Sequence, residues 1–152
     1  MGDLTTLYKA VFPLPDLDAT SALGARIAAQ LGVGDTVALQ GDLGAGKTTL
    51  ARAILTALGV DEAVPSPTFT LVQGYDTPRL SISHFDLYRL KSPREMDELG
   101  LEEALETGAA LIEWPERAEG RLPADRLTVE LNLQDYGRRA TLSGPARWQA
   151  LT

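Results

Sequence analysis

The chain has 152 residues, 44% hydrophobic and 23% charged, an ordinary globular composition that excludes long disorder, collagen and coiled coil. It has no cysteine, which excludes a disulfide framework, a thiolate metal site and a thiol nucleophile. Its net charge of −7 argues against autonomous binding of nucleic acid. From the length we expect one domain over residues 1–152. Because the chain lacks a long apolar run and a signal-like N-terminus, we also expect no membrane partner and a cytoplasmic location.

The first third of the chain predicts a strand, a helix, a buried strand and a second helix. Residues 8–12 are a short strand-like stretch ending at Pro13. Asp16 is a suitable N-cap for a helix whose apolar residues recur every four positions. Residues 36–40 favour a buried strand, and after a glycine-rich turn residues 47–58 favour the second helix.

The remainder alternates in the same way. We expect strands at 68–73, 80–85 and 109–112, a helical stretch at 93–106 interrupted at Gly100, and a hairpin formed by 127–133 and 139–143. Helices that alternate with buried strands indicate an α/β fold with a central parallel sheet. We expect the hairpin to add antiparallel strands at one edge of that sheet.

Residues 41–48, Gly-Asp-Leu-Gly-Ala-Gly-Lys-Thr, match the phosphate-loop pattern G-x-x-x-x-G-K-[ST] at every fixed position. Glycines let successive backbone N–H groups converge on phosphate oxygens, and the positive end of the following helix favours the same anion. We expect Lys47 to reach the β- and γ-phosphates and Thr48 to ligate Mg²⁺. The candidate nucleotide-binding residues of the loop are Gly41, Asp42, Leu43, Gly44, Ala45, Gly46, Lys47, Thr48 and Thr49.

The N-K-x-D element with which GTPases read guanine is absent, because the single asparagine, Asn132, is followed by Leu133. ATP is therefore the favoured nucleotide. A magnesium–nucleotide site also needs a carboxylate at the end of a neighbouring strand. Asp86 and Glu113 both occupy such positions, and the pattern alone does not say which of them touches the metal.

Four further positions each have a functional and a structural interpretation. Ser66-Pro67-Thr68 is either a nucleotide-sensing switch or an ordinary turn. His84 is the only histidine, and on an apolar strand we expect it to be structural rather than a general base. Arg138 either reaches the nucleotide or is solvated, and Trp114 is either core or a wall of the site.

Taken together, four segments in this order resemble the TsaE (YjeE) family. They are Gly-Asp-Leu-Gly-Ala-Gly-Lys-Thr-Thr (41–49), Ser-Pro-Thr-Phe-Thr-Leu-Val (66–72), His-Phe-Asp-Leu-Tyr-Arg-Leu (84–90) and Glu-Trp-Pro (113–115). The resemblance implies a bacterial protein with the P-loop NTPase fold, in which helices flank a parallel sheet that has antiparallel edge strands. It also implies a weak Mg²⁺-dependent ATPase that joins TsaD and TsaB to make threonylcarbamoyladenosine in tRNA, with tRNA contacted only through those partners. An acidic protein suits that role.

By position in the family pattern, the resemblance implies that Lys47 contacts phosphate and that Thr48 and Glu113 bind the metal. Asp86 becomes an essential carboxylate nearby, and Thr68 falls in the switch-like segment. Trp114 flanks the site, and Arg138 lies near the nucleotide base. Leu17 stands where the family has an acidic residue near the base, and residues 145–152 have no counterpart in the family pattern.

Two other functions remain open at this level. In a nucleotide-gated binding module ATP only locks an interface, so hydrolysis is not required. A small-molecule kinase needs an acceptor pocket and usually an arginine-bearing lid. The one candidate lid, residues 89–106, carries more carboxylates than basic groups, which makes a kinase the weaker alternative.

Overall fold

A computed structural model describes residues 7–42, 44–60, 71–118 and 120–152 of the chain. Strands and α-helices are numbered in chain order. The strands are β1 (Leu7–Leu14), β2 (Thr36–Gln40), β3 (Val72–Asp76), β4 (Ser81–Asp86), β5 (Gly108–Glu113), β6 (Leu127–Leu133) and β7 (Arg138–Pro145). The α-helices are α1 (Leu17–Gln30), α2 (Lys47–Ala57) and α3 (Leu101–Thr107), and short 3₁₀ helices cover Pro93–Glu98, Pro115–Ala118 and Ala146–Leu151.

The described strands form one seven-stranded sheet in the order β1-β7-β6-β2-β5-β4-β3. The four central strands, β6, β2, β5 and β4, run parallel to one another. Strands β7 and β1 are antiparallel additions on one side, and β3 is the antiparallel addition on the other. The predicted α/β fold with a parallel centre and antiparallel edges is therefore confirmed.

The position of the predicted hairpin differs from our expectation. Its first strand, β6, pairs in parallel with β2 and lies inside the sheet, and only β7 continues antiparallel. The outer strands are β1 and β3. A hairpin pattern specifies local pairing through its turn, whereas the neighbour on the other side is chosen by long-range contacts that the pattern does not contain.

Several strand boundaries also differ. Strand β1 continues through Pro13 instead of ending there, which an edge strand tolerates because the missing N–H is not needed on the open side. The strand expected at 68–73 lies partly outside the described residues, and β3 begins at Val72 and extends to Asp76. By contrast, the helical stretch at 93–106 is interrupted at Gly100 as predicted, and this residue adopts φ 81° between the 3₁₀ helix and α3.

Helices α1 and α2 cover one face of the sheet. Asp16 caps α1 as predicted, its carboxylate accepting the Ala19 N–H at 2.9 Å. The two helices approach closely because Gly24 has no side chain. A Cβ at this position would lie only 2.6 Å from that of Ala53. The inward side chains of α2, Leu50 and Ile54 among them, are fully buried, each contributing about 1.5–3 kcal/mol by leaving water.

The candidate site lies where three of the parallel strands end. Strand β2 ends at Gln40, β4 at Asp86 and β5 at Glu113, and the register Leu39↔Glu113 and Asp86↔Glu113 brings these ends to one edge. In open α/β sheets this carboxyl edge is where ligands bind. Helix α2 begins directly above it, at Lys47. Within the described ranges, no helix has the length and apolar character needed to cross a bilayer.

Candidate functional site

The loop between β2 and α2 is a tight turn built on glycine. Gly41, Gly44 and Gly46 have φ values of 144°, 84° and 108°, a region that side chains with a Cβ rarely adopt. At Gly41 a Cβ would also lie 2.6 Å from the carbonyl oxygen of Leu131 on β6. Glycine is therefore required at this position for both conformation and space. Leu43 of the predicted loop lies outside the described residues.

Lys47 is buried at the first position of α2, with its ammonium group turned back under the loop. Its Nζ donates to the carbonyl oxygens of Gly41 at 2.5 Å and Asp42 at 3.1 Å. The same atom lies 3.8 Å from the centre of the Trp114 ring, a cation–π contact. Burial lowers the pKa of Lys47 from its ordinary value of 10.5, and nearby carboxylates, foremost Glu113, oppose that shift.

Thr48 and Glu113 meet directly below the loop. The Oγ1 of Thr48 donates to Oε1 of Glu113 at 2.9 Å, joining the first turn of α2 to the end of β5. The other oxygen, Oε2, lies 2.7 Å from Nε2 of His84 on β4. Glu113 is only 2% exposed, so this carboxylate is held from two sides in a site that excludes most water.

Asp86 stands beside Glu113 at the end of β4, in register with it across the parallel pair. It is half-buried, and its Oδ1 accepts the backbone N–H of Tyr88 at 3.1 Å. The structure thus brings both predicted carboxylates to the same edge of the sheet. Thr48 hydrogen-bonds to one of them, Glu113.

Trp114 contacts Lys47 on one side and also packs against a buried apolar cluster that includes Phe85, so both interpretations of this residue apply in part. It is half-buried, and among non-glycine residues of the described ranges it alone has a positive φ, of 59°. That conformation costs about 1–2 kcal/mol, and it turns the chain after Glu113 so that the indole lies over Lys47. Tyr88 packs on the outer side of the indole, with ring centroids 5.0 Å apart.

Arg138, at the start of β7, lies over the loop from the opposite side. Its Nη2 donates to the carbonyl oxygen of Gly44 at 3.1 Å, and its side chain is so close to Gly46 that a Cβ there would lie 3.2 Å from it. A small recess beside it is also lined by Thr49 and by Leu17. Leu17, the departure from the family pattern, is therefore adjacent to the loop.

Most predicted site residues come together at one place. Residues 41, 42, 44–49, 86, 113 and 138 surround the carboxyl edge of β2, β4 and β5. Thr68 lies outside the described residues, so its role stays a prediction. Sequence reasoning missed the contact of His84 with Glu113, for which only the two-residue spacing between His84 and Asp86 on one strand gave a hint.

The oxygen ligands fit a magnesium–nucleotide complex. Mg²⁺ is bound in such sites by one or two protein oxygens together with substrate phosphates, rather than by a full protein cage. Thr48 and Glu113 supply a hydroxyl and a carboxylate within 2.9 Å of each other at the start of a helix. No cluster of three or more His, Asp or Glu side chains suited to a metal occurs in the part of the chain that the structure describes.

Known proteins resemble the chain along most of its length. The family model for threonylcarbamoyl adenosine biosynthesis protein TsaE matches residues 14–141. The tRNA threonylcarbamoyladenosine biosynthesis protein TsaE of Rickettsia bellii is 46% identical over 123 residues, covering 80% of this chain and 85% of the relative. The protein of the same name from Haemophilus influenzae is 44% identical, covering 70% of this chain and 68% of the relative.

A solved structure agrees with these sequence matches. The crystal structure of Bacillus subtilis YdiB superposes with a TM-score of 0.80 at 30% identity, covering 96% of this chain and 93% of that one. The sheet order, the glycine loop before α2 and the paired carboxylates at the sheet edge are those of a P-loop nucleotide-binding fold. The chain belongs to the TsaE family of tRNA threonylcarbamoyladenosine biosynthesis.

Proposed function

We propose that the chain binds ATP with Mg²⁺ at the loop of residues 41–49 and hydrolyses it slowly, as a subunit that works with TsaD and TsaB in threonylcarbamoyl modification of tRNA. The observation that carries the proposal is the Thr48–Glu113 hydrogen bond of 2.9 Å at the start of α2, with Lys47 buried beside it. That arrangement supports a metal–phosphate site. Family membership supports the pathway.

The chain's own groups have distinct tasks in this proposal. The N–H groups of the loop and the first turn of α2 bind the phosphates, and Lys47 offsets charge on the γ-phosphate. Thr48 and Glu113 would hold Mg²⁺, which supplies further charge neutralisation for phosphoryl transfer. Trp114 and Glu113 keep water away from the Lys47 ammonium, which strengthens its interaction with an anion.

The acidic charge of the chain supports the proposal that its partners, and not the chain itself, contact tRNA. A chain with net charge −7 and 14 basic residues lacks the basic balance that tRNA backbone binding requires. We therefore assign tRNA contact to TsaD and TsaB, and nucleotide turnover to this chain, acting as one P-loop ATPase domain in the cytoplasm.

The test is phosphate release from Mg–ATP by the pure full-length chain, alone and with the TsaB–TsaD pair. Wild type turns over slowly alone and faster with the pair. Lys47→Ala loses nucleotide binding. Glu113→Gln keeps binding but loses turnover by about tenfold or more, since a weakened metal site forfeits part of the charge stabilisation that the metal supplies in the transition state. The matched controls Lys91→Ala and Glu106→Gln remove the same groups at exposed positions.

Each other outcome has a defined meaning. Unchanged turnover in Glu113→Gln or Lys47→Ala contradicts the assigned site. Tight ATP binding with no turnover, even with the pair present, supports the nucleotide-gated module instead. Consumption of ATP that matches an added small-molecule acceptor one to one supports a kinase.

A further inference from the structure

His84 is a fully buried histidine in direct contact with the carboxylate of Glu113. Its Nε2 lies 2.7 Å from Oε2 of Glu113, while Oε1 of the same carboxylate accepts from Thr48 at 2.9 Å. The two oxygens of Glu113 therefore have separate donors, one on β4 and one on α2. Two donors fix both the position and the plane of a carboxylate.

The sheet holds this histidine in place. His84 pairs with Leu111 in the parallel register, so Glu113, two residues further along β5, lies on the same face of the sheet. Strand β4 is enclosed between β3 and β5, and His84 is 0% exposed. Because its ring is packed on all sides, it presents Nε2 to Glu113 as a rigid donor.

Apolar packing alone does not explain a histidine at this position. An ionised carboxylate only accepts, so Nε2 carries the shared proton. In the described part of the chain Nδ1 has no hydrogen-bond partner, although it is buried. Taking the polar nitrogens of an imidazole out of water costs free energy that an apolar side chain of similar size would avoid. The bond to Glu113 is the gain that offsets that cost.

We propose that His84 is a positioning residue that holds the Glu113 carboxylate toward Thr48 and thereby sets the Mg²⁺ affinity of the nucleotide site. The proposal rests on the proposed function, since it takes Glu113 as a metal ligand. Without His84, Oε2 loses its donor, and metal binding must then also order the carboxylate. Outer partners of metal ligands are typically worth about 10–100-fold in metal affinity.

A nucleotide-free experiment tests the contact itself. Since His84 is the only histidine, ring ¹⁵N NMR of the untagged full chain at one fixed pH shows a single histidine. We expect Nε2 to be protonated, and its resonance to shift in Glu113→Gln but not in the exposed control Glu106→Gln. An unprotonated Nε2, or a resonance indifferent to Glu113→Gln, overturns the proposal.

Calorimetric binding of ATP with Mg²⁺ and with EDTA tests the consequence. In His84→Leu we expect the gain in ATP affinity from Mg²⁺ to fall about tenfold, with affinity in EDTA unchanged. His84→Gln, which retains a side-chain N–H donor, restores most of the gain. Thr36→Val removes another buried polar group, at the far end of β2, and leaves the gain intact.

A loss equal in Mg²⁺ and in EDTA, or no rescue by His84→Gln, overturns the positioning role. Failure of the proposed function looks different. In that case the wild-type chain itself binds ATP no better with Mg²⁺ than with EDTA, while the NMR result still reports on the His84–Glu113 contact.

Discussion

Asp86 and Glu113 are register partners at the ends of β4 and β5, yet their carboxylates are held in different ways. Glu113 is almost fully buried and contacts Thr48 and His84 through its two oxygens. Asp86 is half-buried, and its Oδ1 accepts a backbone N–H from Tyr88. A fixed carboxylate suits a metal ligand, whereas a partly open one beside it can act on water or phosphate.

Asp86→Asn tests this division between the two carboxylates. Asparagine keeps an acceptor for the Tyr88 N–H and removes only the charge. We expect ATP binding to persist and turnover to fall about a hundredfold, the low end of what a positioned carboxylate contributes. Single-turnover ATP hydrolysis and equilibrium ATP binding measure the two quantities separately.

The matched control for Asp86→Asn is Asp76→Asn. Asp76 also ends a strand, and its Oδ1 accepts a hydrogen bond from Ser81 Oγ at 3.0 Å, but it lies at the opposite end of the β3–β4 pair. Its variant should turn over ATP at the wild-type rate. Equal effects of the two substitutions, or normal turnover by Asp86→Asn, would contradict the role given to Asp86.

Gly41→Ala tests whether the loop geometry creates the nucleotide site. Gly41 has φ 144° and Gly120 has φ 80°, so alanine at either position is strained, by about 1–2 kcal/mol. At Gly120 a Cβ would meet nothing within 4 Å, whereas at Gly41 it would lie 2.6 Å from the carbonyl oxygen of Leu131. We expect both variants to melt lower, Gly41→Ala more so. Only Gly41→Ala should lose ATP binding in a fluorescent-nucleotide titration; normal binding by it would show that the loop tolerates displacement.

Much of the site follows from local sequence because its geometry is local. The loop is specified by glycines at fixed spacing before a lysine, and the predicted strand 36–40 and the N-cap Asp16 match the structure. Asp86 and Glu113 were predictable as strand ends. Their pairing was not, because it depends on the parallel register of β4 and β5, which no local pattern encodes.

Other features required the tertiary structure. The two-residue spacing between His84 and Asp86 hints that His84 faces the site, but a lone histidine on an apolar strand does not identify Glu113 as its partner. The same holds for β6, whose parallel neighbour β2 lies far away in sequence. The C-terminal residues 145–152 lack a family pattern, yet Trp148 and Leu151 are buried there.

Lys47 gives a pH-dependent prediction for the free protein. Burial lowers its pKa below 10.5, so as the pH rises the folded chain releases this proton before the unfolded chain does. Between the two pKa values the unfolded state binds more protons, and this group's contribution to stability therefore increases with pH. We expect wild type to gain stability relative to Lys47→Met as the pH rises toward 10.5 in urea unfolding. The exposed control Lys91→Met should show no such trend, and a decline relative to Lys47→Met would mean that the carboxylates, not burial, dominate the pKa.

Trp148→Ala tests whether the C-terminal turn, the 3₁₀ helix Ala146–Leu151, belongs to the hydrophobic core rather than to the nucleotide site. Trp148 is 1% exposed, and Arg26 on α1 donates to the carbonyl oxygen of Leu151 at 3.0 Å, which joins the turn to that helix. Replacing a buried tryptophan by alanine costs about 3–5 kcal/mol. We expect the melting temperature to fall by about 10 °C or more, while ATP affinity at 20 °C stays near wild type.

The control is Tyr136→Ala, which removes an aromatic ring that is 91% exposed and should change stability by less than about 0.5 kcal/mol. A loss of ATP affinity in folded Trp148→Ala would instead connect this turn to the nucleotide site.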